Sequence, residues 1–506
     1  MTTYVFFIGG TGARVLRSLT MLMASGASIN PGDKIVPIII DYDLQNGDLE
    51  KAKDLLNRYS SLNKIGEYRD DDKGFFASPI ELKPYSMVDI KGDAGKDTFK
   101  NYIDLETIKI MSPSTAVFIE SLYDNSPKED PKTELNLEMS VGFKGNPNIG
   151  SVVFNEYFQN MSYGFSDFKA NFTEGDRVFI VGSIFGGTGS SGLPSLVKKF
   201  RQSGGHVGNT VALQNAPIGA CVVLPYFDVK PSDVSAINSQ TFNSKAKAAL
   251  TYYDAEINKL MNELYYIGCN DRQSPYNNVE GGKEQSNNAH LLEVMSAISI
   301  LEFAKRPVTA MMNVDNSGTL VPNCYEYTTT SGLVKVEDED KIPGTAYLDL
   351  LSLPNDTKDS LYDKYVSNLV SFAYFTKYAL DYTYQGEDSG KIFGQAYYKA
   401  LEKYIKRDTD FGSKLVSFLE SFVVWANELA TNSLMKFEPF DFNMDLDHLV
   451  NVSNLKNPVK KVKDDIRLAL NKGNESYKES VKPEAVFLRI AYLAGTAAID
   501  KLTNLK

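Results

Sequence analysis

Phe185-Gly186-Gly187-Thr188-Gly189-Ser190-Ser191-Gly192 is the stretch that decides how this 506-residue chain is read. It follows an apolar run, Val178-Phe179-Ile180-Val181, and leads into a helical pattern over Leu193–Phe200. Strand, glycine turn and helix together seat an anion. Glycines let the backbone come close, and the N–H groups of the first helical turn point at the ligand. Thr188 and Ser190 add hydroxyl donors to phosphate oxygens. The stretch is not a dinucleotide fingerprint, which reads GxGxxG with an acidic residue about 20 positions on. No GxxxxGK[ST] occurs anywhere, so it is not a P-loop. The plain alternative is a tight strand–helix turn that needs glycine for packing.

A second loop of the same kind, Ile8-Gly9-Gly10-Thr11-Gly12-Ala13-Arg14, follows Tyr4-Val5-Phe6-Phe7. Two such loops suggest one nucleotide held by a single α/β sheet. Strands are expected at 4–8, Lys34–Ile40, Val178–Val181 and Ile218–Leu224, and helices at 13–25, Asp48–Tyr59 and Leu193–Phe200. That alternation predicts the fold class α/β, a Rossmann-like doubly wound parallel sheet. Its ligands sit beyond the carboxyl ends of the strands, where both loops lie. Residues 60–140 show no pattern that orders them.

Farther along, Ser244–Leu264 reads as a long helix and Leu264–Ile267 as a short strand. Asn287–Lys305 is apolar nearly all round, the mark of a helix buried on every side. Beyond it, Ala310–Val314, Tyr325–Thr330 and Leu333–Val336 are β-like. Helices are then expected near 359–380, 393–406, 412–431, 457–471 and 483–502, with Pro483 suited to a first turn and Trp425 to a core. The expected domains are a nucleotide-binding α/β domain over 1–286, a central helix over 287–306, and a C-terminal domain over 307–506 that is mainly helical.

Two further segments complete a pattern. Asp41-Tyr42-Asp43-Leu44-Gln45 ends the second strand, and Gly142-Phe143-Lys144-Gly145-Asn146-Pro147-Asn148-Ile149-Gly150 precedes the Gly186 loop. In these four collinear segments the chain resembles the tubulin/FtsZ superfamily, as a divergent bacterial tubulin-like protein, over residues 4–310. Phe185–Ser190 looks like the family's GGGTGSG-type loop, and Asp41–Gln45 is similar to the Asn-x-Asp-x-Gln after its second strand.

The resemblance implies GTP/GDP with Mg²⁺ and a GTPase whose site the next subunit completes in a filament. Nucleotide contacts are expected from Gly9, Gly10, Thr11, Gly12, Ala13 and Arg14, from Asp41, Asp43 and Gln45, and from Gly145, Asn146 and Pro147. The second loop adds Gly186, Gly187, Thr188, Gly189 and Ser190, and the base is expected beside Asn270, Asn287 and Asn288. Mg²⁺ is expected on the phosphates, with Asp43 as a candidate ligand, because bare carboxylates repel phosphate. Asp41 and Asp43 read equally as a solvated turn or helix cap, and Gly145-Asn146-Pro147 as a β-turn.

The in-trans catalytic candidates are Asp315 and Asn313, in Met312-Asn313-Val314-Asp315, a segment that also reads as a hairpin turn. The family's second acid is missing there, Ser191 replaces the signature's last glycine, and the C-terminal half departs from the family's mixed sheet. Phe7–Gly12 alone also resembles the start of a short-chain dehydrogenase, but no convincing Tyr-x-x-x-Lys pair accompanies it.

A net charge of −11 argues against nucleic acid as a partner, since phosphate backbones need a basic patch. Three scattered cysteines and three scattered histidines give no disulfide framework, zinc site or histidine-based catalysis. Neither a signal peptide nor a membrane span is evident, so a cytoplasmic protein is expected. The expected partners are further copies of the chain, or another protein held by the C-terminal helices.

Overall fold

A parallel sheet organises the chain in the computed structural model, which describes residues 1–43, 45–66, 74–90, 98–123, 133–140, 142–160, 165–202, 208–232, 237, 239–268, 273–279, 281–328, 332–335, 365–384, 409–432, 437–450, 461–475 and 482–503. The strands are β1 (Thr2–Ile8), β2 (Lys34–Asp41), β3 (Met87–Asp89), β4 (Arg177–Ser183), β5 (Ile218–Val223), β6 (Phe227–Val229), β7 (Glu263–Ile267), β8 (Gln273–Tyr276), β9 (Asn323–Thr328) and β10 (Gly332–Lys335). The main sheet has the order β10-β9-β7-β5-β4-β1-β2-β3, while β6 and β8 pair separately. Only β10 runs antiparallel to its neighbour in the main sheet.

The helices are α1 (Gly9–Ala24), α2 (Gly47–Gly66), α3 (Phe99–Tyr102), α4 (Leu105–Met111), α5 (Pro113–Tyr123), α6 (Pro147–Asn160), α7 (Phe165–Asn171), α8 (Gly187–Arg201), α9 (Gly208–Asn215), α10 (Phe242–Tyr252), α11 (Leu291–Lys305), α12 (Ser367–Tyr378), α13 (Asp410–Ala430), α14 (Val462–Glu475) and α15 (Pro483–Thr503). They cover both faces of the sheet, so the expected doubly wound, Rossmann-like α/β class with a mainly helical C-terminal region is what forms.

Burial on both faces explains why β1 is buried from end to end. Its side chains divide by the strand period of two. Val5 and Phe7 enter the core shared with α1, α2 and α11, and Tyr4, Phe6 and Ile8 enter the core beneath α6 and α8. From β1 the chain moves outward through β2 to β3, then returns to β4 and proceeds the other way. The order reverses between β1 and β4, the place where such sheets open a crevice for ligand.

The C-terminal helices complete the layer over α1 and α2. Phe75 meets Phe372 edge-on at 4.8 Å, and Phe76 meets Phe418 at 4.9 Å. Trp425 is a core residue, as its apolar surroundings predict, and its indole N–H donates to Ser18 Oγ at 3.4 Å. No helix among the described residues is long and apolar enough to cross a membrane.

Several element bounds differ from expectation. α1 and α8 begin at Gly9 and Gly187 rather than at 13 and 193, because the glycine loops themselves wind into the first helical turns. α10 stops at Tyr252, and a π turn and a 3₁₀ turn lead from it to β7, so the predicted helix over 244–264 is too long. One apolar run there serves both a helix end and a strand.

The central helix starts at Leu291, not Asn287, because His290 caps it. His290 Nδ1 accepts from Leu292 N–H at 3.1 Å, while the His290 N–H donates to Glu293 Oε2 at 2.9 Å. Ala310–Val314 is not a strand: a 3₁₀ turn occupies Val308–Ala310, and Val314 pairs with Leu320 in an isolated bridge. The helix expected over 393–406 lies outside the described residues.

Candidate functional site

The two glycine loops emerge from neighbouring strands and touch. Gly9 has φ +69°, and a Cβ there would lie 3.3 Å from Thr188 Cβ. The third loop rests on the second: a Cβ at Gly187 would lie 2.8 Å from Phe143 Cβ, 3.1 Å from Gly145 N and 3.2 Å from Asn146 N. Glycine is therefore required at Gly187 by close approach of another backbone. Between the loops lies a cavity of about 280 Å³. Of the predicted residues, Gly9, Gly10, Thr11, Arg14, Asp41, Asp43, Gly145, Gly186, Gly187, Thr188, Gly189 and Asn287 line it. The first turns of α1 and α8 both open onto it, so their N–H groups and helix dipoles favour a negative charge there.

Other predicted residues have different places. Gly12 and Ala13 are buried one turn into α1, where a Cβ at Gly12 would come within 2.6 Å of the Phe7 backbone. The Ser190 hydroxyl turns back to the Gly186 carbonyl. Asn146 builds the third loop, its N–H donating to Phe143 O at 2.8 Å and its Nδ2 at 3.1 Å, and Pro147 starts α6. The β-turn reading of this segment thus holds alongside its position at the cavity. Gln45 is exposed, with its backbone N–H on Asp43 Oδ1 at 3.1 Å. Asn288 Nδ2 donates to Thr431 Oγ1 at 3.1 Å on α13's side, and Asn270 lies outside the described residues.

Asp41 and Asp43 stand at the carboxyl end of β2. Asp43 accepts the Gly282 N–H at 2.6 Å, tying β2 to the segment before α11. Asp41 is fully enclosed, and burial pushes its carboxyl up to about 7, with the neighbouring Asp43 charge adding to the rise and the Asp43 N–H opposing it. A carboxyl raised in the folded state contributes stability that is complete below its unfolded pKa, near 4, and lost as pH rises through about 7. Asp41→Asn should therefore raise the apparent Tm by a few degrees at about pH 8.5 and by clearly less at about pH 5, where only about a third of the interval between the two pKa values has been crossed. A scanning-calorimetry series showing the same change at both pH values would overturn this.

Arg14 does more inside the protein than at the cavity. Its Nε donates to Glu293 Oε1 at 2.7 Å, Nη1 to Asp48 Oδ2 at 2.6 Å, and Nη2 to Tyr226 Oη at 2.8 Å and Thr11 Oγ1 at 3.3 Å. Tyr226 in turn donates to Glu293 Oε1 at 2.6 Å, and the Asn287 N–H to Asp48 Oδ1 at 2.9 Å. Arg14, expected as a nucleotide contact, lines the cavity while its five-donor fork is committed to two buried carboxylates and a phenol. Its charge is held well above any titration by those partners, against the cost of burial. Sequence reading missed Asp48, Tyr226 and Glu293, which lie 34, 212 and 279 residues away. The only hint was an arginine directly after a run of small residues.

A second tie lies behind the first. Arg17 pairs with Glu428 of α13, whose Oε2 also accepts the Ala289 N–H at 2.9 Å. The C-terminal layer thereby grips the segment that leads into α11.

Asp315 sits at the other end of the sheet. Asn262, just before β7, donates through Nδ2 to Met311 O at 3.2 Å, fixing the 311–321 turn beside the amino ends of the strands. Asp315 Oδ1 accepts from Ser317 N–H at 2.8 Å, Ser317 Oγ at 2.6 Å and Thr319 N–H at 2.9 Å. Asn313 Nδ2 donates to Asn323 Oδ1 at 2.8 Å. The hairpin-turn reading describes the conformation here. Asp315 is exposed, its carboxyl held below the usual range by the Ser317 hydroxyl and the turn's N–H groups. It cannot reach the cavity of its own chain, which opens at the carboxyl ends.

Among the described residues no group of three or more His, Cys, Asp or Glu is placed to hold a metal ion. No protein-family model and no curated protein matches the chain. Among solved structures it is similar to CetZ from Methanosaeta thermophila strain DSM 6194, at 12% identity and a TM-score of 0.28. That match spans 62% of this chain and 55% of the CetZ chain. A superposition so loose carries no argument about fold or function, and both rest on the sheet order and the loops.

Proposed function

We propose that this protein binds GTP, with Mg²⁺, in the cavity between its two glycine loops, and that it is a tubulin-like GTPase whose hydrolysis is completed by a neighbouring subunit. The observation that carries the reading is the meeting of four segments, far apart in sequence, around one cavity at the switch point of the sheet. The residues fit a nucleoside triphosphate. Gly187 has no room for a Cβ beside the Gly145 N–H, which keeps a backbone donor at the surface a phosphate would touch. The first turns of α1 and α8 supply further N–H groups, and the Thr11 and Thr188 hydroxyls stand beside them.

Of the two cations that line the cavity among the described residues, Arg14 is paired with Asp48 and Glu293, so Arg14 and Lys144 together fall short of the charge of a triphosphate. That deficit, with Asp43 at the cavity edge, suits a divalent ion on the phosphates that Asp43 would help to hold. Bound Mg²⁺ neutralises charge developing on the terminal phosphates. Asn287 stands where a base edge would lie, and the choice of guanine rests on the family resemblance.

Asp315 would act in trans. An exposed carboxylate at the amino end of one sheet faces outward, and head-to-tail stacking would bring it to the carboxyl end of the next. There it would orient water, with Asn313 bracing the turn. Asp315→Ala should leave GTP affinity unchanged and slow phosphate release by about 10- to 100-fold. Phosphate release and right-angle light scattering followed against protein concentration test both parts: turnover per subunit should rise with concentration. Tight GTP binding with a flat, near-zero rate would defeat the in-trans mechanism.

It would favour a second reading, a non-polymerising GTP-binding protein that engages a partner through its C-terminal helices. The observation behind that alternative is that Asp315 Oδ1 is already occupied three times within its own turn.

A further inference from the structure

A second cavity, of about 530 Å³, lies between α6, α8 and α10, outside the nucleotide site. In a chain of net charge −11, three lysines converge on it: Lys198 and Lys199 from α8 and Lys245 from α10. No Asp or Glu is among the described residues that line it. Glu134 accepts from Asn148 Nδ2 at 2.6 Å and acts on the Lys245 charge. Burial pulls the Lys245 amine down from its ordinary range, a cost that an anion beside it would relieve.

The aromatic wall points the same way. Lys198 Nζ lies 5.0 Å above the Tyr252 ring, so the ammonium is held over a flat surface rather than extended into water. Tyr253 beside it is wholly buried, and its phenol oxygen has no hydrogen-bond partner among the described residues. A buried hydroxyl in that state is costly. The volume lies within the range of about 300–1,000 Å³ that small-molecule sites occupy.

We propose that this cavity binds a small organic molecule carrying a phosphate group. Lys198, Lys199 and Lys245 hold the phosphate, and Tyr252 offers a stacking face for the rest. The site stands apart from the nucleotide reading, although Lys245 Nζ also donates to Gly145 O at 2.6 Å and so lies one side chain from the phosphate loop.

The test is calorimetric titration of the full chain with inorganic pyrophosphate, the probe for the phosphate end. Wild type, Lys198→Glu/Lys199→Glu, Gly187→Trp and an exposed control, Lys259→Glu, are compared. Pyrophosphate should bind wild type and Lys259→Glu alike, and the double lysine variant at least about tenfold more weakly. It should bind Gly187→Trp within about threefold of wild type, because the shifted 143–146 loop touches only Lys245 of the three lysines. Where charge reversal prevents folding, Lys198→Gln/Lys199→Gln should show the same loss. Binding abolished by Gly187→Trp but kept by the lysine variants would assign the ion to the nucleotide cavity and overturn the proposal. So would equal loss in Lys259→Glu, or no binding to wild type at about millimolar pyrophosphate.

Discussion

Gly187→Trp is expected to abolish GTP binding, by about 100-fold or more, while the far-UV circular dichroism stays that of the wild type. Even the Cβ of the new side chain would stand 2.8 Å from Phe143 Cβ, closer than folded structures tolerate, and 3.1 Å from Gly145 N, tighter than most contacts. The 143–146 loop must therefore move away from the first turn of α8. The indole would then occupy much of a cavity of only about 280 Å³. Because Gly187 lies at the mouth of the crevice, beyond the strands, the sheet core beneath it keeps its packing. Gly187→Ala supplies the graded case: the loop shifts by less, and affinity should fall by a smaller factor. Titration with a fluorescent GTP analogue measures both variants. Wild-type affinity in folded Gly187→Trp would remove the nucleotide site from this cavity.

Arg14→Met should lower the free energy of unfolding by about 3–5 kcal/mol, the cost of leaving buried charge without its partner. Among the described residues Arg14 is the one cation that pairs with Asp48 and with Glu293, and both carboxylates are almost wholly enclosed. Burial already pushes both carboxyls upward, and Arg14 is what opposes that rise. Without it they must bind protons or stay charged in a dry site.

The sign of the pH dependence follows. Carboxyls raised in the folded state give stability that is full at low pH and lost as pH climbs through their folded pKa values. The deficit of Arg14→Met should therefore be larger at about pH 8 than at about pH 5. Replacing Asp48 and Glu293 by Asn and Gln in the same variant should recover most of the loss, since no uncompensated charge remains. Urea unfolding at both pH values decides it. A deficit below about 1 kcal/mol, or one independent of pH, would mean the network contributes little.

The glycine loops were legible because their requirement is local. A backbone that must pass close to another backbone, or adopt positive φ, needs glycine at that position, and the strand before it announces itself by apolar residues buried on two faces. β1, β2, β4 and β5 follow from the same logic. The helix starts were less legible. Gly9 and Gly187 begin helices in the structure although glycine is a poor helix former, because close packing at those turns outweighs propensity. His290 as a cap was equally hidden. Asn287 and Asn288 are the better cappers by preference, yet the hydrogen bond from Leu292 N–H goes to a histidine whose ring is kept neutral, with burial pulling its pKa down to about 3.

By itself, then, the amino-acid sequence determined the parallel α/β sheet, the two glycine loops and the buried central helix, all of which depend on neighbours within a few residues. Tertiary structure alone decided which groups stand around the cavity and what their charges do. Arg14 is tied to Asp48 and Glu293. Asp41 is deprived of water, and Asp315 is set at the far end of the sheet. Glu428 is brought from the last helical layer onto Arg17 and the entry to α11. These are electrostatic and solvation effects. They depend on distance in space and on exclusion of water, and neither is written in the spacing of residues along the chain.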